Sequence, residues 1–217
     1  LTLGIEKDKV FIIGNIIKKP SKNKNIRRLL NLPHNSKIIA IIGWVRPIKR
    51  VENFIKIAQK FNDKNLCFLI IGKSGGNFKL DNYKDKLDNI IKNKSNSCSI
   101  KFAGHIKDIS LYLGSIDILI HCCEKEAFGR VIAESLISKT PVIAADSYAT
   151  KDLVIDNQTG YIVDYSNIDQ YVKHIEILLN DDTLKSKLGK SGQKFIQKNF
   201  SPKSICKKLK YNYEDLI

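Results

Sequence analysis

Short apolar runs, three to six residues long, alternate with stretches of helical spacing along almost the whole chain. Val10–Ile13 reads as a short strand and residues 23–31 as a basic helix. Ile38–Ile42 is a continuous β-branched run closed by Gly43, the pattern of a strand buried on both faces. Val51–Phe61 follows with Phe54, Ile55, Ala58 and Phe61 at helical spacing. Leu66–Ile71 is the next strand, then a glycine-rich turn over residues 72–76 and a polar helix over about residues 81–94. Strands at Ile100–Ala103 and Ile116–His121 flank a short helix beginning at Asp108. A helix over Phe128–Ser138, a strand over Pro141–Ala145 and a small strand at Tyr161–Val163 come next. Three helical segments, starting at Asp169, Asp182 and Ser201, complete the chain.

Strict strand–helix alternation predicts an α/β fold, a doubly wound parallel sheet with a helical C-terminal extension. No linker or repeat interrupts it, so residues 16–200 are expected to form one ligand-binding domain. Residues 1–15 read as the end of a preceding domain or linker, and residues 201–217 as a peripheral helix. Ligands of such folds sit beyond the carboxyl ends of the strands. The segments beginning at Gly43, Gly72, Gly104 and Cys122 are therefore where binding residues belong.

The chain opens Leu1-Thr2-Leu3 and contains no methionine, so it is expected to be part of a longer protein. No apolar run reaches the ~18–20 residues of a membrane span. The net charge of +15 raises a nucleic-acid reading, but only five of the 37 basic residues are arginine, the residue whose planar fork grips phosphate. Abundant Lys, Ile and Asn are what an AT-rich genome supplies. Specific nucleic-acid recognition is accordingly not expected, and peripheral attraction to an anionic membrane is the partner the charge leaves open. The five cysteines form no Cys-x-x-Cys and mostly adjoin apolar runs, as reduced cytoplasmic thiols do. His121, Cys122 and Cys123 alternate across a strand, which argues against a shared metal.

The densest functional signal runs from His121 to Glu134. A strand ends, a tight loop carries Glu126, and a helix opens at Phe128-Gly129 with Glu134 further along it. Unpaired N–H groups at a helix start carry partial positive charge and favour an anion, and Gly129 lets a phosphate approach the backbone. Glu126, beside the same positive end, is expected to stay ionised and accept sugar hydroxyls. Glu134, among Val131, Ile132, Ala133, Leu136 and Ile137, suits two ribose hydroxyls.

Glu126-x-Phe128-Gly129 followed by Glu134 resembles the two-glutamate signature of family 4 (group 1) retaining glycosyltransferases of the GT-B fold. Ser138–Asp146 is similar to that family's Cys-Gly-Thr-Pro-Val-Ile-Ala-Thr-Asp strand, and Asn157–Val163 to its Asp-Gly-x-Thr-Gly-Leu-Leu-Val turn. Val10–Asn15 resembles the end of its first domain, with Gly14 where a proline usually stands. Gly43–Arg50 resembles its Gly-Arg-Leu-x-x-x-Lys-Gly turn, whose Arg and Lys hold the donor pyrophosphate. Lys49 matches the lysine, Trp44 replaces the arginine, Arg50 replaces the last glycine, and Arg46 is the candidate replacement cation. Trp44 itself is either wedged into the core or laid over the donor site. Gly72–Gly76 is similar to the Gly-x-Gly-Pro turn, and the loop ending at Ile106 to one that meets the base.

The resemblance implies the donor-binding half of a retaining transferase, moving a sugar from a nucleoside-diphosphate sugar to an acceptor hydroxyl held by a missing N-terminal half. Cell-surface glycans or lipid-linked oligosaccharides are the implied destinations, in a bacterial cytoplasm or at the inner face of its membrane. Glu126 is the implied catalytic residue. Gly43, Arg46, Lys49, Gly72, Ile106, Phe128, Gly129 and Glu134 join it in donor binding, without metal or cofactor. This part alone is expected to bind donor but not transfer it. The alternatives are a GT-B-fold UDP-sugar epimerase and a non-catalytic basic docking module.

Overall fold

A computed structural model of the 217-residue chain describes residues 10–74, 82–92 and 98–214. Its elements, in chain order, are α1 (Ile26–Leu29), β1 (Lys37–Ile42), α2 (Val51–Ala58), β2 (Leu66–Ile71), α3 (Asn82–Lys92), β3 (Ser99–Gly104) and β4 (Ile118–His121). Then follow α4 (Arg130–Ile137), β5 (Val142–Ala145), α5 (Tyr148–Leu153), β6 (Tyr161–Val163), α6 (Ile168–Asn180), α7 (Asp182–Phe200) and α8 (Pro202–Glu214). The six strands form one parallel sheet in the order β3-β2-β1-β4-β5-β6. Winding runs outward from β1 to β3 on one side and from β4 to β6 on the other. The direction reverses between β1 and β4, the place where such sheets open a ligand crevice.

Strand side chains alternate, so the central strands feed cores on both faces. Ile39 and Ile41 of β1, with Phe68 and Ile70 of β2, join Phe54, Ile55, Leu87, Tyr171 and Leu178 in one cluster. Ile38 and Ala40, with Cys67, Leu69 and Ile71, join Ile26 and Leu113 in another on the opposite face. A third cluster joins Leu119, Val142 and Ala144 to Ile132 and Leu136 of α4, Ile196 and Phe200 of α7, and Ile205 of α8. Burying each of these large side chains contributes about 1.5–3 kcal/mol.

Several expected elements differ. Val10–Ile13 is not in a strand among the described residues, and Ile12 is 95% exposed. The segment instead leads into Ile17, whose N–H donates to the Phe200 carbonyl at 2.9 Å and whose side chain enters the α4–α7 cluster. The basic helix shortens to α1 because the Asn25 side chain caps it, accepting the Arg27 N–H at 2.8 Å. The helix expected from Asp108 is a pair of 3-10 turns, Ile109–Leu111 and Leu113–Ser115, entered through a left-handed Asp108. α5, unpredicted, starts on Ser147, whose hydroxyl accepts the Thr150 N–H. Gly75 and Gly76 of the glycine-rich turn, and both ends of the 81–94 helix, lie outside the described residues.

Candidate functional site

Two loops leave the switch point, residues 43–50 after β1 and residues 122–129 after β4. Two ion pairs tie them together. Lys49 Nζ meets Glu126 Oε2 at 2.6 Å, and Arg50 Nη2 meets Glu124 Oε2 at 2.7 Å. The stem of Lys49 runs over Gly43, with Cε 3.7 Å from where a Cβ would stand. Lys49 ends a 3-10 turn, Pro47–Lys49, and Arg50 closes it in the left-handed region at φ 48. That is the position the family resemblance fills with glycine, and Arg50 occupies it while stacking over Tyr165 at 4.3 Å.

Glu126 has a second partner that sequence reasoning missed. His121 Nε2 lies 3.0 Å from the same Oε2, and the ring is buried at the end of β4. An ionised acceptor places the proton on Nε2, so His121 donates. The His121 bond, foremost, holds the Glu126 carboxyl well below its ordinary range; burial opposes it, and the Lys49 hydrogen bond and charge add to the lowering. Glu126 is thus ionised as expected, but through these two side chains rather than a helix end. The sequence signal lay in strand alternation: His121 and Cys123 share a face two residues apart.

That corrects the argument against convergence here. His121, Cys123 and Glu126 bring their ligand atoms within 4.8 Å of one another, while Cys122 turns into the core, where burial pushes its thiol up to about 12. The trio has the donor set of a metal site. Lys49 already places a cation on Glu126, and burial raises the Cys123 thiol, so the acid form of Cys123 is favoured.

The helix expected to open at Phe128-Gly129 opens at Arg130. Gly129 is its N-cap at φ 78, a left-handed conformation that cannot continue a helix. A Cβ there would press on Ile132 at 3.0 Å and Leu153 at 3.3 Å, so the position is both conformationally and sterically reserved for glycine. Glu126 Cγ is 3.5 Å from that same point, which sets the carboxylate beside the start of α4. The Phe128 ring packs edge-on against Phe200, their centroids 5.8 Å apart. Glu134 stands in α4 and accepts from Arg130 Nε at 2.8 Å, one turn back on the same helix. Arg130 is itself largely exposed.

The remaining candidates are not all at this crevice. Gly72 ends β2 against β1: a Cβ would lie 1.8 Å from the Gly43 carbonyl oxygen. Ile106 is buried in the cluster below β1 and β2. Trp44 is 48% exposed, which removes the core alternative, and the Arg46 guanidinium stacks on it at 3.6 Å. Lys49, Glu126 and Gly43 are therefore brought together directly. Trp44 and Arg46 lie on the same β1 loop, Gly129 caps α4 beside Glu126, and Glu134 lies further along α4.

The doubly wound parallel sheet is a Rossmann-like α/β fold that matches GT-B glycosyltransferase structures. The sequence profile described as Glycosyl transferases group 1 matches residues 22–195, and the chain belongs to that family. The poly(ribitol-phosphate) alpha-N-acetylglucosaminyltransferase of Staphylococcus aureus is 26% identical over 204 residues, covering 93% of this chain and 38% of that protein. The crystal structure of an S. aureus TarM mutant in complex with fondaparinux, alpha-GlcNAc-glycerol and UDP superposes with a TM-score of 0.80 at 25% identity, over 98% of this chain and 40% of the other. The C-terminal domain of a group 1 glycosyl transferase (LpcC) from Francisella tularensis shares the fold, with a TM-score of 0.74 at 23% identity over 84% of this chain and 95% of that one. The chain spans 38% to 50% of the length of the curated relatives it matches.

Proposed function

We propose that the crevice between the β1 and β4 ends holds the nucleoside-diphosphate sugar of a retaining glycosyltransferase. The observation that carries this is the meeting of Lys49 and Glu126 across the switch point, beside the glycine-capped start of α4. Glu126, kept ionised, accepts hydroxyls of the donor sugar. Lys49 turns from Glu126 toward the diphosphate, and the N–H groups opening α4 meet it from the other side. These fixed positive groups lower the barrier as charge develops on the leaving diphosphate. Arg46, held flat on Trp44, supplies the cation that the family keeps at the Trp44 position. Glu134 exchanges Arg130 for two ribose hydroxyls.

The TarM structure that superposes on this chain contains UDP, which supports a uridine nucleotide as the first ligand to try. A cell-surface glycan or lipid-linked oligosaccharide is the acceptor class, met on the cytoplasmic side through another domain. The 217 residues alone bind donor and transfer nothing.

Titration calorimetry with UDP, GDP and ADP, with and without EDTA, tests the reading. Binding of one nucleotide, unchanged by EDTA and accompanied by a shift in Trp44 emission, is the expected result. Absence of heat with all three at about millimolar ligand, where even a weak site would be half filled, would sink it.

A further inference from the structure

From Thr183 to Tyr213 the chain carries nine lysines and no aspartate or glutamate. Residues 183–213 thus carry a net +9 of the chain's +15. The inner face of α7 is set by Leu188, Gly189, Gly192, Ile196 and Phe200, all buried. Lys187, Lys190, Lys194 and Lys198 recur every three or four residues on the opposite side, a single exposed row about 16 Å long. None of the four has an acidic partner among the described residues; the nearby exception is Lys185, paired with Asp182 at 2.5 Å. α8 repeats the arrangement. Ile205 points inward, while Lys203, Lys207 and Lys210 line the outer side, Lys210 lying 3.5 Å from Glu214. Tyr211 and Tyr213, 64% and 67% exposed, stand at the outer end of the same helix.

Like charges one turn apart destabilise a helix, and an anionic surface relieves that repulsion. The segment contains no arginine, so the bidentate phosphate grip common in nucleic-acid recognition is absent from it. Flexible lysine stems spread over two helices suit a broad, laterally mobile layer of charge. Tyrosines at the edge suit the boundary between head groups and water. No described helix is long and apolar enough to cross a bilayer, so such contact is superficial. We infer that the outer faces of α7 and α8 dock this chain onto a membrane surface rich in anionic phospholipid. This surface is separate from the donor crevice, and its failure would leave the donor reading untouched.

Vesicle flotation with the 217-residue chain tests it, comparing phosphatidylcholine alone with mixtures containing about 30% phosphatidylglycerol. Anionic lipid is expected to raise the bound fraction at least about tenfold at low salt, and about 0.5 M salt to abolish the gain. Reversing Lys187, Lys190, Lys194 and Lys198 to glutamate should remove the binding. Equal reversal of the exposed Lys18, Lys19, Lys22 and Lys64 should leave most of it. Circular dichroism checks folding, and Lys→Gln at the same four α7 positions replaces the reversal if that helix fails to form. Equal binding to both lipid mixtures, or equal loss from both reversals, would overturn the inference. Retention on single-stranded DNA that depends on the α7 row, with no vesicle binding, would assign the row to nucleic acid instead.

Discussion

Glu126 and Glu134 are the same side chain eight residues apart, yet the molecule treats them in opposite ways. Glu126 is held by groups from elsewhere in the sequence: Lys49 crosses from the β1 loop, and His121 reaches up from β4. Among the described residues, the Glu134 side chain is held only by Arg130, a neighbour on its own helix whose side chain is 74% exposed. One carboxylate is part of the architecture that joins the two loops. The other is half-buried and lightly held. The two glutamates of one motif are thus held to very different degrees, and the proposed roles turn on that difference.

The sharpest way to break this contrast is Glu126→Ala. Both charge-assisted bonds disappear and His121 is left buried without its acceptor. We expect a loss of about 2–3 kcal/mol in urea unfolding at neutral pH, below the full cost of a broken buried pair because Lys49 can turn to solvent. The pH dependence has a definite sign. The folded-state pKa of Glu126 is depressed below its ordinary 4.5, so its stabilisation is present above that value and drains away as pH falls below it. Glu126→Gln should therefore be less stable than the parent at pH 7, with the gap closing in acid. A gap independent of pH would mean that the two bonds to the ionised carboxylate contribute nothing.

Glu134→Ala should give the reverse profile. A pair one turn apart on a helix, with one partner largely exposed, is worth about 0.3–0.5 kcal/mol, so stability should hardly move. Nucleotide affinity should fall by about 1.5–2.5 kcal/mol, roughly a factor of ten to seventy, if two ribose hydroxyls depend on it. Free UDP should register the whole effect, whereas Glu126→Ala should weaken only the sugar conjugate. Equal loss of UDP from both variants would erase the distinction drawn between the two glutamates.

How much of this was legible beforehand follows the range of the interactions. Strands β1, β2 and β6 were readable because continuous apolar runs bounded by glycine or turn residues leave few alternatives. The two glutamates were readable because their partners in the motif are close in sequence. Lys49 was placed by resemblance, but its bond to Glu126 spans 77 residues and exists only once β1 and β4 lie side by side. His121 was dismissed as one of three alternating strand residues, although alternation itself puts His121 and Cys123 on one face. The missing Val10–Ile13 strand marks another limit: apolar runs show that burial is available, not that a neighbouring strand is. Sequence cannot decide Trp44, because a tryptophan beside a buried strand suits either a core or a stacking platform. Only its exposure and the guanidinium on it decide.

The smallest expected effect tests the second cross-loop pair, the more exposed counterpart of Lys49–Glu126. Arg50 sits at φ 48, where a residue with a Cβ pays about 1–2 kcal/mol relative to glycine. Against that strain it gains the Glu124 contact, about a third exposed on each side, and the Tyr165 stack. Each of those contributes about 0.5–1 kcal/mol. Arg50→Gly relieves the strain and loses both contacts, while also loosening the unfolded chain, so its net change should lie within about 0.5 kcal/mol of zero. Arg50→Ala keeps the strain and loses the contacts, and should be the less stable of the two by about 1 kcal/mol in denaturant midpoints. If alanine proved as stable as glycine, the strain of the left-handed turn would be no more than about 0.4–1 kcal/mol, the unfolded-state cost of glycine, and the glycine in the family resemblance would owe little to backbone conformation. If glycine were much the worse, Arg50–Glu124 would rank with Lys49–Glu126 as a tie that holds the two loops together.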